Sequence, residues 1–283
     1  MKNSHSDTLF HYTRSLDTVI SILKDGFKVS YSGEQITEDI FIAIPMISFC
    51  DIPIELCEEH RSKYGNYAIG ISKNALIEIA GGLLSPVHYV LNADPIIGAY
   101  KYHEQLIHNN VLDNEWFKRK RSSGATPVTI ICSQDQVYTG YTSYLTDDTS
   151  IVKRFFESPK LCDYANFALA FTKNYTCLYK DKAFCAYDEC EWRIVIPEER
   201  SIGANAVQWY WSKEEYSIWK AKHGNTFLDI CPNIYVSPKD VTKIVVESKE
   251  DKAAIIALTQ QMDYPSLESK IIVLSHTDCL KSR

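Results

Sequence analysis

Two carboxylates one residue apart, Glu189 and Glu191, stand at the head of the stretch Trp192-Arg193-Ile194-Val195-Ile196. On a strand, residues i and i+2 share a face. The two acids would then point one way, and Trp192, Ile194 and Ile196 the other. One carboxylate of such a pair can orient a hydroxyl while its neighbour holds an acceptor or stabilises positive charge. The plainer reading is two solvated glutamates, because charged side chains usually face water. His11, beside Thr13, offers a neutral donor/acceptor and a hydroxyl at the end of a strand, and Ser48-Phe49 puts a hydroxyl next to a ring on a second strand. Tyr64, Tyr67 and Tyr89 fall at or near strand boundaries. Each could stack on a planar ring or fill the core. Cys50 and His60 raise the idea of a thiol nucleophile, but a free cysteine is more often a small buried hydrophobe. The basic run Lys118-Arg119-Lys120-Arg121 could attract phosphates with a steep salt dependence, or be a solvated loop.

Several chemistries lack their motifs. No GxGxxG or GxxxxGK[ST] cradle occurs, nor a GxSxG elbow or HExxH pair. The nine cysteines include no CxxC, so no metal site is expected. Their odd number and the absence of a signal peptide point to reduced thiols and a cytoplasmic protein. No apolar run approaches the roughly 18 residues of a membrane span. A net charge of -6 argues against a whole-surface grip on nucleic acid.

These residues need a scaffold. Leu9–Tyr12 reads as a strand, with Ser15 capping a helix over Leu16–Lys24 and Gly26 ending it. Residues 30–40 read as a polar loop. Phe41–Cys50 is apolar but interrupted by Pro45, with Ile47-Ser48-Phe49 its best strand. A helix with Pro53 in its first turn runs to Gly65, followed by a strand over Tyr67–Ile71 and a helix from Ser72 to Ala80. Pro86–Val90 reads as a fourth strand. Strands are expected at 228–236, 242–247 and 270–274, and helices near 213–221 and over 249–261. No linker divides the 283 residues, so one α+β domain is expected, with a mainly helical insertion at about 94–182.

The chain also resembles known families. His11-Tyr12-Thr13 with the helix over Val19–Phe27 is similar to the opening of ADP-ribosyltransferase-like proteins, including the DarT nucleic-acid ADP-ribosyltransferases. The AbiGi abortive-infection family of phage-resistance proteins is the nearer likeness. It covers Ile44–Pro53, His60–Lys73, Val87–Tyr89, Tyr187–Arg193 and Tyr235–Val246. The resemblance implies a split, bent sheet with NAD+ as co-substrate in its cleft. It puts His11 on a ribose, and Tyr12, Thr13, Ser48, Phe49, Tyr67 and Tyr89 around the cofactor. Glu191 becomes the catalytic acid and Glu189 its acceptor-side partner, with the two roles interchangeable. The function implied is a toxin-type mono-ADP-ribosyltransferase of a phage-defence system. Its acceptor would be nucleic acid, RNA before DNA or protein, held in part by Lys118–Arg121, and an antitoxin protein would neutralise it. The family also carries an antitoxin label, so the alternative is a non-catalytic antitoxin or sensor on the same fold.

Overall fold

The computed structural model describes residues 7–36, 41–91, 131–133, 136–138, 168–179, 182–197, 209–210, 212–223 and 233–274. The architecture is mixed α+β, built on an eight-stranded sheet of mostly antiparallel strands. The strands and helices of the first third are β1 (Thr8–Thr13), α1 (Leu16–Asp25), β2 (Ser30–Gln35), β3 (Phe41–Cys50), α2 (Glu58–Tyr64), β4 (Tyr67–Ser72), α3 (Lys73–Ala80), β5 (Leu84–Pro86) and β6 (His88–Val90). The short pair β7 (Ile131–Ser133) and β8 (Gln136–Tyr138) comes next, then β9 (Thr172–Asn174), β10 (Thr176–Tyr179) and β11 (Lys182–Cys185). The chain continues through β12 (Glu191–Val195), α4 (Lys213–His223), β13 (Val241–Val246), α5 (Lys249–Gln261) and β14 (Ile271–Val273).

Local sequence accounts for the opening elements. The Ser15 hydroxyl accepts from the Asp17 amide at 3.1 Å and caps α1, whose Val19 and Leu23 are buried. Gly26, at φ 82, ends that helix. In α5, Ser248 and Asp251 form a reciprocal capping box.

Main-sheet order is β14-β13-β4-β1-β3-β12-β5, with β2 also on β3. β1 pairs with β4 along its whole length but meets β3 only at Phe10 and Cys50. The sheet therefore has two halves joined at one residue pair. Alternation of side chains sends Leu9, Ile47, Phe49 and Ile194 into a core with α1, α3 and α5. Phe10, Tyr12 and Cys50 face the other side, where α2 packs. Met46 and Val195 also face that side, in a cluster with Leu169 and Phe171.

Several expectations change. Residues 30–35 are a strand, not a loop, paired with β3 from Ser30↔Met46 to Gln35↔Phe41. As an edge strand β2 needs no apolar alternation, which is why its polar sequence hides it. Pro45 does not interrupt β3, a continuous ten-residue strand. Its carbonyl accepts from the Ile196 amide at 3.0 Å, just past the end of β12, so its missing N–H costs no ladder bond. Pro86–Val90 splits in two: β5 pairs with β12 and β6 with β9. Between them the Val87 amide donates to the Glu191 backbone carbonyl and the His88 amide to the Phe171 carbonyl. Of 94–182, the described residues from 172 on are largely strand. Of the strand expected at 228–236, residues 233–236 are described and form a single bridge, Ile234 with Phe27.

Candidate functional site

Glu189 and Glu191 do not share a strand. Glu189 ends a 3-10 turn, Ala186–Glu189, and β12 begins at Glu191. Between them Cys190 takes a left-handed conformation, φ 44 and ψ 48. For a non-glycine residue this is uncommon and costs on the order of 1 kcal/mol or more. The kink still brings the acids together, for the Lys173 ammonium donates to Glu189 at 2.7 Å and to Glu191 at 2.9 Å.

Glu191 is filled. Ser48 Oγ donates to it at 2.8 Å, Arg193 donates from Nε at 2.8 Å and from Nη2 at 3.1 Å, and Lys173 supplies the fourth bond. Its own amide donates to the Tyr89 hydroxyl at 2.8 Å. Arg193, fully buried, also donates to Glu34 at 2.6 Å and to the Ala170 carbonyl at 2.8 Å. Glu189, 4% exposed, accepts from the Tyr64 hydroxyl and from Lys173. Burial alone would raise the Glu191 carboxyl, but Arg193 and Lys173 outweigh it and hold the group well below the usual carboxylate range. Burial would likewise lower Lys173, yet Glu191, Glu34 and Glu189 raise it. The acid is thus an ionised anchor with its lone pairs engaged. That differs from a general base, which needs a free lone pair and a pKa near the working pH.

Ser48 links the two sides of the sheet. Its hydroxyl reaches Glu191, and its carbonyl lies 2.9 Å from His11 Nδ1. A carbonyl only accepts, so His11 must carry its proton on Nδ1. Burial lowers the His11 pKa, which keeps the ring neutral and leaves Nε2 as an acceptor. The His11 ring packs edge-on against Phe27 and Phe49, on the α1 side. Tyr12 lies on the opposite side, its ring 4.9 Å from His60.

Of the residues expected around one cofactor, the structure connects His11, Phe49, Ser48, Tyr89, Glu191 and Glu189. Thr13 pairs with Tyr67 at the end of β1, and the Tyr67 hydroxyl donates to Asp251 in α5. Lys118–Arg121 lie outside the described residues. Residue types alone missed Lys173, Glu34 and the part of Arg193. A buried cation that satisfies two acids is visible only once the chain is folded.

His60 packs between Tyr12 and Tyr64 at 4.9 and 4.5 Å. Burial lowers its pKa to about 4, against a weaker upward pull from Glu189 and Glu191. Unfolded histidine titrates near 6.5. The unfolded chain therefore binds more protons between about pH 6.5 and 4, and stability falls as pH drops through that window. His11, lowered by burial, acts in the same direction. The Glu191 contribution runs lower: it is complete above the normal carboxylate range and is lost below it. The His60 share is on the order of 3 kcal/mol. Urea midpoints at pH 7.5, 5.5 and 4.5 should decline, and His60→Phe should flatten the decline. Equal slopes in the two proteins would remove His60 from this account.

These features define an α+β protein with a buried, charge-compensated carboxylate centre. The profile of the family described as "Putative abortive phage resistance protein AbiGi, antitoxin" matches residues 28–247. The chain belongs to this family. No curated protein and no solved structure matches it. The family description overturns the toxin expectation, because it names an antitoxin of abortive phage resistance. The partner expected of it changes accordingly, from a neutralising antitoxin to a toxin. Among the described residues no helix is long and apolar enough to cross a membrane.

Proposed function

We propose that this protein is a non-catalytic antitoxin of an abortive phage-resistance system, built on an ADP-ribosyltransferase-like scaffold and acting by binding a toxin partner. The family match over residues 28–247 carries this reading. The saturated Glu191 supports it, since a carboxylate with its lone pairs engaged by Ser48, Arg193 and Lys173 has none to offer a ribose hydroxyl. The scaffold is supported by a sheet whose halves meet at Phe10 and Cys50, with His11 and Glu191 on strands that flank β3.

Expression of the chain alone should leave bacterial growth unchanged, and co-expression with the toxin-side gene of its own system should restore growth. Growth arrest by the chain alone would overturn the proposal. So would release of nicotinamide when the purified protein is incubated with NAD+, because turnover of the dinucleotide requires the catalytic role that the proposal denies to Glu191.

A further inference from the structure

Beside the carboxylate centre lies a cavity of about 270 Å³, lined by Ile52, Leu56, Glu59, His60, Lys63, Tyr187, Asp188, Glu189 and Cys190. Its lining carries three acids, Glu59, Asp188 and Glu189, against Lys63, and Lys173 stands behind Glu189 at 2.7 Å, so the acids outnumber the cations by one. Lys63 is already committed, with its ammonium 3.3 Å from Glu59 and 3.8 Å from the centroid of Phe184. Neither Glu59 nor Asp188 is buried. At the rim two large apolar side chains stand in solvent, Leu56 at 59% and Tyr187 at 56% exposure. The Tyr187 ring is backed by Tyr175 and Tyr89, at 6.0 and 5.5 Å, so it presents a supported flat face. Such exposed apolar groups around a pocket mark interaction surfaces more often than isolated ones do.

From this geometry we infer that the cavity is the docking site for a basic side chain, arginine or lysine, presented by an apolar segment of the toxin partner. The inference rests on the antitoxin reading. The occupant follows from the chemistry. A cation at the mouth of the cavity meets the exposed carboxylates of Glu59 and Asp188, while Glu189 is already held by Lys173 and Tyr64. The neutral His60 ring adds no opposing charge at pH 7. A guanidinium or ammonium can also lie over the face of Tyr187. The carbon stem of the basic residue and its apolar neighbours would cover Leu56 and Tyr187. An anionic ligand such as a nucleic-acid backbone is disfavoured by the same charges.

The test uses the full-length chain, co-expressed with the affinity-tagged toxin-side protein of its system. Glu59→Lys and Asp188→Lys are combined, because both side chains are exposed and folding should survive. Glu78→Lys on α3, against the opposite face of the sheet, is the control. The double reversal should weaken toxin binding at least about tenfold and lose growth rescue, with the control unchanged. Binding of the wild type should weaken as salt is raised. A double variant that binds the toxin as tightly as wild type would overturn the docking site and leave the antitoxin reading standing. Failure of the wild type itself to bind or rescue would overturn the antitoxin reading, and this inference with it. If the chain alone self-associates and the double reversal abolishes that, the occupant is a second copy and the inference fails.

Discussion

Replacement of Arg193 by alanine should destabilise the folded chain by about 3–5 kcal/mol, the range for breaking a buried ion pair by removing one partner. The reason lies in what is left behind. Glu34, Glu189 and Glu191 are compensated by Lys173 and Arg193. Without the guanidinium, three carboxylates share one ammonium in a space from which water is largely excluded. Glu191 loses the donors at 2.8 and 3.1 Å, Glu34 the one at 2.6 Å, and the Ala170 carbonyl its bond at 2.8 Å. Arg193 also ties β12 to β2 and to the segment before β9, so its loss should loosen that half of the sheet first. Arg193→Met with Glu191→Leu should cost clearly less than the two single changes added together, because it removes charges of both signs. Urea denaturation of the four proteins closes the cycle. A loss below about 1 kcal/mol for Arg193→Ala would mean that the pair behaves as an exposed one.

The same network shows where sequence reading succeeds and where it stops. Helix α1 was legible because caps and apolar spacing are local signals, carried by Ser15 and Gly26 at its ends, and the helix expected over 249–261 is α5. Ser48 and Tyr89 were found as polar groups at strand positions, and both touch Glu191. Glu34 was hidden because β2 owes its existence to β3, not to any pattern of its own. Lys173 sits in a stretch whose composition suggests no element, and its meaning comes from two acids 16 and 18 residues away. The pairing of Glu189 with Glu191 was anticipated for the wrong reason. Strand alternation was expected to align them, whereas a positive-φ Cys190 and a shared lysine do so. The toxin expectation was overturned by the family description, which names an antitoxin. Residue types can place a histidine, a serine and two glutamates near one another, but they do not say that the acid's hydrogen-bonding capacity is already spent.

Gly65→Ala is expected to cost more than about 3 kcal/mol and to disturb the site from a distance. Gly65 stands at φ 123 and ψ 166, a region that is essentially glycine-only and costs on the order of 1–3 kcal/mol for other residues. Space is the larger obstacle. A Cβ there would be driven into the Thr13 carbonyl oxygen, and it would stand 2.5 Å from the Thr13 carbonyl carbon and 2.7 Å from the Arg14 nitrogen. All three are backbone atoms at the end of β1, where Thr13 is paired with Tyr67. They cannot swing aside as a side chain would. The strain must pass instead into α2, which Gly65 closes by donating its amide to the Arg61 carbonyl at 2.8 Å. That helix carries His60 and Tyr64, and through Tyr64 it holds Glu189. Alanine at 65 should therefore expose His60, and its pKa, read by NMR titration, should rise from about 4 towards the ordinary histidine value. Gly81→Ala is the comparison, for Gly81 is also at positive φ but nothing lies within 4 Å of an added Cβ. It should cost only the local conformational strain, roughly 1 kcal/mol. If the two substitutions lower the unfolding midpoint equally, the contact between Gly65 and Thr13 does not position α2.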